Sequence, residues 1–212
     1  HVNNCSSQIV NQFGVKGGII YTGFNSSDDE VLNSISSLNL ISFDLGIYAE
    51  LFDFRYFNMS TELHYIVKGE RNSNAFLVPL RENTSQGNVW TFKYINDTYH
   101  YLSLHLLPRY KFLLTNEDKL YLFGGPRFDF RIGNTNSESE NSIHVSNFKL
   151  ELGGTLGIGG QFRDVLLMEL RFEYNFTPTY QFEYGQEKTT RNHNTISFLL
   201  GVNLRKVMRL DL

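Results

Sequence analysis

Apolar and polar residues alternate with a period of two along eight segments of this chain. One face of each segment is apolar, beginning with Phe13, Val15, Ile19 and Tyr21. No Asp, Glu, Lys or Arg occurs on that face, although these residues make up 19% of the sequence. A side-chain period of two is typical of β-strands whose two faces meet different surroundings. The pattern predicts strands at residues 12–24, 42–53, 57–69, 99–112, 119–131, 148–162, 165–176 and 195–204.

The opposite face collects the charges of these segments. Alternation alone does not say which face points inward, because a soluble or periplasmic barrel that binds a hydrophobic ligand also alternates, with its apolar side inside. The volume of the barrel interior decides which face points inward. The interior of an eight-stranded barrel is just wide enough for side chains, and the many Leu, Phe and Tyr residues of the apolar face would overfill it. We therefore expect the apolar face in lipid and the following charges in the lumen: Lys16, Asp44, Glu50, Glu62, Lys68, Arg109, Lys111, Arg127, Asp129, Arg131, Lys149, Glu151, Glu169, Arg171 and Glu173.

The connections between the predicted strands alternate in length. Long polar segments at 25–41, 70–98, 132–146 and 177–194 alternate with short ones at 54–56, 113–118 and 163–164. In outer-membrane barrels the short turns are periplasmic and the long loops extracellular, so both termini are expected on the periplasmic side. The predicted fold is all-β: an eight-stranded antiparallel up-and-down transmembrane β-barrel, one domain over 1–212, with an N-terminal extension at 1–11 and a C-terminal tail at 205–212.

Composition narrows the class of protein further. Mean hydropathy is −0.28 and no run of 18 apolar residues occurs, which excludes a transmembrane helix but not a barrel, whose strands carry a weak average signal. A net charge of −3 and a pI near 6.1 give no basic field for nucleic acid. Cys5 is the single cysteine, so an internal disulfide is excluded. The expected location is the outer membrane of a Gram-negative bacterium, with the lipid bilayer of that membrane as the main partner.

Four short stretches within the strands carry a family likeness. They are residues 13–18 (FGVKGG), 61–69 (TELHYIVKG), 101–112 (YLSLHLLPRYKF) and 121–126 (YLFGGP). Together they resemble the PorT-like outer-membrane β-barrel domain family, and the likeness covers most of the predicted barrel and fades in the long loops. The resemblance implies an eight-stranded outer-membrane protein and, through PorT itself, a connection with protein secretion. It implies no particular activity.

The largest candidate site is the set of charges expected in the lumen. A buried ion without a partner is strongly unfavourable, so we expect Arg and Glu side chains to bridge neighbouring strands as a structural network. The alternative is a polar path for small solutes or protons, which would require mobile charges or a gap. The residues assigned to the network are Glu62, Arg109, Arg127, Asp129, Arg131, Glu151, Glu169, Arg171 and Glu173.

A possible enzyme site involves Ser103 and His105, which share a face of the fourth strand beside Glu62 and His64 of the third. Ser, His and a carboxylate could form an acyl hydrolase, and lipid-modifying enzymes occur on eight-stranded barrels. Alternation places these side chains inside, however, whereas an acyl chain approaches from the lipid. We therefore expect no enzyme activity and no cofactor. The histidines lack a thiolate or a close carboxylate pair, so no metal is expected either.

The segment 70–98 is the longest connection and contains Trp90, the single tryptophan. Loops of this length are often functional. We expect this one to extend the third and fourth strands and, with the other long loops, to offer contact surfaces for other envelope or secretion proteins. Pro108 and Pro126 lie within predicted strands, and because proline cannot donate to a ladder, a bulge or bend is expected at each.

Overall fold

The protein is described by a computed structural model in which the described residues are 10–26, 37–52, 54–72, 76–78, 91–93, 96–115, 117–136, 145–147, 149–178, 180–184 and 187–208. Most of them lie in strands, which are β1 (Val10–Ser26), β2 (Ser37–Leu51), β3 (Phe57–Asn72), β4 (Phe76–Val78), β5 (Thr91–Lys93), β6 (Asn96–Leu113), β7 (Lys119–Asn136), β8 (Val145–Asn147), β9 (Leu150–Phe162), β10 (Leu166–Asn175), β11 (Tyr180–Tyr184) and β12 (Glu187–Asn203). One helical turn, α1 (Leu204–Val207), follows β12. Within the described ranges, no helix is long and apolar enough to cross a membrane.

Eight long strands form a closed antiparallel barrel in the order β1-β2-β3-β6-β7-β9-β10-β12. Closure comes from β12, which pairs back on β1 from Gly14↔Asn203 to Ser26↔Arg191. A closed ring has no open edge, so the strands satisfy their backbone hydrogen bonds within the sheet, which is the condition for crossing a bilayer. The predicted fold class is confirmed.

The apolar face of the barrel points outward and the charged face points inward. Ile19 and Leu156 are 63% and 68% exposed, whereas Glu62 and Arg109 are each 1% exposed. This is the arrangement expected from the volume of the lumen, and it gives the barrel an outer belt suited to hydrocarbon. Exposed aromatic side chains surround the β2–β3 turn, as an interfacial girdle would. They are Phe52, Phe54, Tyr56 and Phe57.

All eight predicted strands occur, but several extend further toward the long connections than the alternation indicates. β3 runs to Asn72, β6 begins at Asn96, and β12 begins at Glu187, before the start near residue 195 that the pattern predicts. The ladders continue because backbone pairing does not require alternating side chains. The barrel wall therefore rises above the apolar belt on the long-loop side.

The ends of the elements differ in detail from the sequence-based boundaries. β1 begins at Val10, inside the expected extension 1–11, and α1 begins at Leu204, which the pattern assigns to the last strand. Within segment 70–98, the third and fourth barrel strands are extended as expected, and β4 and β5 pair as a separate hairpin. Trp90 lies outside the described residues.

Of the bulge or bend expected at Pro108 and Pro126, a bulge does not occur in the β6–β7 ladder. The β6–β7 ladder keeps one register before and after the two prolines, which fall together in one unpaired stretch. Proline has no backbone N–H to donate to a ladder. Because Pro108 and Pro126 face the same gap between β6 and β7, the two missing donors interrupt this ladder at one place only. The strands therefore pass through both prolines without a change of register.

Candidate functional site

The nine residues assigned to the lumen network all lie on the inner wall of the barrel. They come from β3 (Glu62), β6 (Arg109), β7 (Arg127, Asp129, Arg131), β9 (Glu151) and β10 (Glu169, Arg171, Glu173). Each forms at least one ion pair with another inward-facing side chain. Lys149, which the alternation also places inside, is exposed. It lies in a bend directly before β9, so the side-chain alternation of that strand does not extend to it.

The ion pairs form two clusters at different heights. The lower cluster lies nearer the short turns. It consists of Lys16, Asp44, Glu50, Glu62, His64, Arg109, Glu169 and Arg171. The upper cluster, nearer the long loops, is the set Lys68, Arg127, Asp129, Arg131, Glu151 and Glu173. The nine predicted residues are thus divided between two separate groups.

Glu62 and Glu169 form the centre of the lower cluster. Lys16 Nζ lies 2.7 Å from a carboxylate oxygen of each. Arg109 Nη2 lies 2.7 Å from Glu62 and 3.0 Å from Glu169. Arg171 Nη2 lies 2.6 Å from Glu62 and also pairs with Glu169. Both carboxylates therefore face the same three cations through charge-assisted hydrogen bonds, the stronger class of hydrogen bond in proteins.

Several of these ion pairs run across the lumen. The pair Glu62–Arg171 joins β3 to β10, and Arg109–Glu169 joins β6 to β10. Neither pair of strands is adjacent in the barrel. The expectation of bridges between neighbouring strands was wrong for these pairs, because long Arg and Glu side chains reach across a lumen that is only wide enough for side chains.

His64 joins the lower cluster to β2. Its Nδ1 lies 2.5 Å from Asp44 Oδ1, and its Nε2 lies 3.0 Å from Glu62 Oε2. An ionised carboxylate only accepts hydrogen bonds, so both ring nitrogens must donate, which the imidazolium form does. With His64 charged, four cationic groups face four carboxylates, and the lower cluster is electrically balanced.

Replacing Gly46 with alanine is expected to disturb His64. The two residues pair across β2 and β3, and a Cβ at Gly46 would lie 2.6 Å from His64 Cγ and Nδ1. The ring cannot move aside without lengthening its bond to Asp44 or Glu62, so we expect the free energy of unfolding to fall by about 1–3 kcal/mol, measured by urea titration in lipid vesicles. In Gly133→Ala, the new Cβ would come no closer than 3.8 Å to atoms outside its chain neighbours, and a change under about 0.5 kcal/mol is expected. Equal losses in the two variants would contradict this role of His64.

The upper cluster is centred on Arg127. Its Nε lies 3.1 Å from Asp129 and its Nη1 lies 2.5 Å from Glu173. Lys68 Nζ approaches the same two carboxylates, at 2.7 Å from Asp129 and 3.8 Å from Glu173. A second cation therefore shares the charge of both carboxylates, and the group links β3, β7 and β10.

Glu151 gathers the rest of the upper cluster. Arg131 Nη2 lies 2.8 Å from Glu151, the Tyr101 hydroxyl donates to it at 2.6 Å, and Asn175 Nδ2 donates to it at 2.5 Å. Tyr101 and Asn175 were not among the predicted network residues. Their position on the charged parity of β6 and β10 was the available signal, but neither carries a formal charge.

Tyr121 is a further lumen residue that charge alone does not indicate. Its hydroxyl donates to Glu169 at 2.8 Å, and its ring lies 4.7 Å from the Arg109 guanidinium carbon, measured to the ring centroid. Gly159 of β9 makes room for this ring, since a Cβ there would lie 2.5 Å from two of its atoms. A glycine on the charged face opposite an aromatic residue was the sequence signal for this packing.

Ser103 and His105 lie in the lumen between the clusters, but not in the order of a hydrolase triad. The Ser103 hydroxyl donates to Asp129, and its oxygen lies 2.8 Å from His105 Nε2. Since the single hydroxyl proton is directed to Asp129, His105 Nε2 must donate to Ser103. His105 Nδ1 lies 3.3 Å from Thr155 Oγ1, and the carboxylate is on the serine side. In a triad the histidine accepts the serine proton and the carboxylate holds the histidine.

Sequence comparison identifies the family of this barrel. The family described as "Outer membrane protein beta-barrel domain" matches residues 7–181. The protein belongs to this family. The outer-membrane barrel therefore lies in the outer membrane of a Gram-negative bacterium, in contact with its bilayer. The alternative of a soluble barrel that binds a hydrophobic ligand is set aside.

The chain is similar to solved structures of outer-membrane proteins at low sequence identity. The outer membrane protein OprG from Pseudomonas aeruginosa matches with a TM-score of 0.52 and 12% identity, over 92% of this chain and 97% of that one. Neisserial surface protein A has a TM-score of 0.48 at 14% identity, over 92% and 99% of the two chains. Outer Membrane Protein W of E. coli has a TM-score of 0.47 at 15% identity, with the same coverage. No curated protein sequence matches the chain.

Proposed function

We propose that this outer-membrane barrel is a sealed structural protein, without enzyme activity, whose functional surface is its extracellular end. The observation that supports sealing is the lower cluster, in which ion pairs join β1, β2, β3, β6 and β10 across the lumen. The upper cluster repeats such bridges at a second height through β3, β7 and β10. A solute would have to separate buried pairs at both levels.

The energy of that separation favours a static network over a path for solutes or protons. Removing one partner of a buried ion pair is unfavourable by about 3–5 kcal/mol. Arg109 alone contacts three carboxylates, those of Glu50, Glu62 and Glu169, so its movement would leave several charges without compensation. The clusters therefore act as fixed cross-links that hold the barrel wall in shape.

The extracellular end supplies the surface for interaction. There β11 pairs with both β12 and β8, from Tyr180↔Arg191 and Tyr180↔Asn147 onward, and β4 pairs with β5. These ladders extend ordered backbone above the belt. With the PorT-like resemblance of the strands, this supports a role in envelope assembly, secretion or surface contact, with another envelope or secretion protein as the partner.

Purified wild-type protein inserted in a planar phosphatidylcholine bilayer is expected to show no stable conductance steps, because the ion-pair clusters fill its lumen. A porin added to the same chamber is the positive control for insertion and detection. Insertion of the barrel itself is checked by heat-modifiable gel migration of protein recovered from vesicles of the same lipid. Stable steps of uniform size from the wild type would overturn the sealed-lumen proposal and favour a path for small solutes.

A further inference from the structure

Three short hydroxyl side chains lie next to each other on the inner wall of the barrel, in β1 and β12. They are Thr22, Thr195 and Ser197, which we call the hydroxyl wall, and each is at most 1% exposed. Thr195 pairs with Thr22 across the two strands, and Ser197 is the next inward-facing residue of β12. Side chains on one face of paired strands lie about 4.5–5.5 Å apart at their Cβ atoms. The hydroxyl wall is therefore one continuous polar patch.

Two charged residues of β10 stand beside the hydroxyl wall. Arg171 pairs in register with Ser197, and Glu173 pairs with Thr195. One terminal atom of each, Arg171 Nη1 and Glu173 Oε1, has no hydrogen-bond partner among the described residues, and the same holds for the three hydroxyl oxygens of the wall. Buried polar atoms in native proteins almost always have a partner. Five adjacent atoms without one indicate a ligand that the barrel binds in its lumen.

The arrangement of the long side chains leaves space in front of the hydroxyl wall. The other carboxylate oxygen of Glu173 lies 2.5 Å from Arg127 Nη1 of β7. The other terminal nitrogen of Arg171, Nη2, lies 2.6 Å from Glu62 of β3. Both tips are thus held toward walls of the barrel other than β12. Since Thr and Ser are short, the side chains of β1 and β12 do not fill the space that remains.

Charge indicates that the occupant of this space is neutral. The lower cluster is electrically balanced, as described above. The upper cluster is balanced as well, because three cations face three carboxylates in the set Lys68, Arg127, Arg131, Asp129, Glu151 and Glu173. An added ion would introduce a charge without compensation into a buried site, which is strongly unfavourable. Water is neutral, both donates and accepts, and in buried sites typically makes about three hydrogen bonds to polar groups.

We propose that a small group of ordered water molecules is bound at the hydroxyl wall and bridges Arg171 Nη1 to Glu173 Oε1. Arg171 belongs to the lower cluster and Glu173 to the upper one, so the water joins the two clusters into one hydrogen-bonded network. In this bridge Arg171 donates to water, water donates to Glu173, and the hydroxyls of the wall complete the bonds of the water. The inference goes beyond the proposed function and does not depend on a sealed lumen.

The spacing of the two charged residues fits a bridge by water. Successive inward-facing residues of a strand are about 6.6 Å apart, which is too far for their backbone positions alone to impose a direct contact. A water molecule with a hydrogen bond of about 2.8 Å on each side spans roughly 5.6 Å. One or two water molecules therefore match the gap between the two terminal atoms.

Crystals of the detergent-solubilised wild type, at a resolution that shows ordered water, test the site directly. We expect water density about 2.6–3.2 Å from Thr195 Oγ1, continued to Arg171 Nη1 and Glu173 Oε1. The density should persist in Thr195→Ser, which keeps the hydroxyl, and be lost beside residue 195 in Thr195→Val. An empty space or a protein side chain in front of the wall would overturn the proposal. So would anomalous signal there after soaking in bromide or rubidium salts, which would assign the site to an ion.

The sign of a stability change tests the same site without crystals. Valine has the shape of threonine without its hydroxyl. If water is bound, Thr195→Val removes one of its hydrogen bonds, and the urea concentration at half unfolding in phosphatidylcholine vesicles should fall by about 0.5 M. If the wall is dry, valine replaces an unpaired buried polar atom, and this midpoint should rise. A midpoint equal to or above that of the wild type would overturn the proposal.

Thr61→Val is the matched control. Thr61 lies on the outer face of β3, between Ala49 of β2 and Leu106 of β6. The same exchange there adds apolar surface on the lipid side and should not lower the urea midpoint. Heat-modifiable gel migration verifies that each variant is folded before titration. A fall in Thr61→Val as large as that in Thr195→Val would show a general effect of the exchange and would contradict the assignment of bound water to the hydroxyl wall.

Discussion

Replacing Glu62 with alanine is expected to lower the free energy of unfolding by about 3–5 kcal/mol. Glu62 is buried on β3 and accepts hydrogen bonds from Lys16, Arg109 and Arg171. Alanine leaves these three cations close together with one carboxylate fewer between them. Like charges repel strongly in a surrounding of low dielectric constant. The repulsion between the three cations and the loss of their hydrogen bonds to Glu62 both lower the free energy of unfolding.

Urea titration of the barrel refolded in phosphatidylcholine vesicles measures this loss, with the folded fraction read from heat-modifiable gel migration. The control is Lys119→Met, which removes the ion pair with Asp164 at the short-turn rim, where the two side chains are 16% and 20% exposed. A partly hydrated pair of this kind contributes at most about 1 kcal/mol. If Glu62→Ala lost no more stability than Lys119→Met, the lower cluster would not be the cross-link described above.

The sidedness of the barrel could be predicted from the sequence because a strand has a period of two. A slip of one residue would place every charge of a strand in lipid, so a run such as Glu169, Arg171 and Glu173 fixes the orientation of β10 without reference to any other strand. The narrow lumen then decides which face is inside. Both arguments use only residue type and spacing, and the observed burial agrees with them.

The pairing of the charges could not be predicted in the same way. Alternation assigns a face to each residue, but the tilt and stagger of the strands decide its height. Glu62 and Arg171 meet although 109 positions separate them, and the sequence contains no signal for that contact. Parity places Tyr101 and Tyr121 on the inner face, but for the same reason the carboxylates to which they donate, and the division into two clusters, became visible only in the structure.

The extracellular parts of the strands were also missed for a physical reason. Above the apolar belt the outer face of a strand no longer meets lipid, so apolar residues are not required at every second position. The start of β12, from Glu187 to Asn194, is polar on both faces and therefore resembles a loop in sequence. Backbone hydrogen bonds nevertheless continue the ladder there, as the pair Ser26↔Arg191 shows.

Replacing Leu156 with arginine is expected to lower the free energy of unfolding in a bilayer by about 2–4 kcal/mol, the effect of Arg near the middle of the hydrocarbon on a barrel surface. Leu156 is the central residue of β9 and is 68% exposed. It contributes little packing, so the effect comes from the surroundings of the barrel. The same urea titration in phosphatidylcholine vesicles measures it.

The matched control is Leu166→Arg, at the first residue of β10 beside the short turn, where the leucine is 54% exposed. Arginine near the interface reaches the headgroups and should lower stability by only about 0–1 kcal/mol. On a water-exposed surface both substitutions would be nearly neutral, within about 0.5 kcal/mol. The difference between the stability losses of Leu156→Arg and Leu166→Arg therefore shows whether Leu156 lies deeper in the hydrocarbon than Leu166. Equal, small effects at both positions would contradict the membrane-facing assignment of the apolar belt.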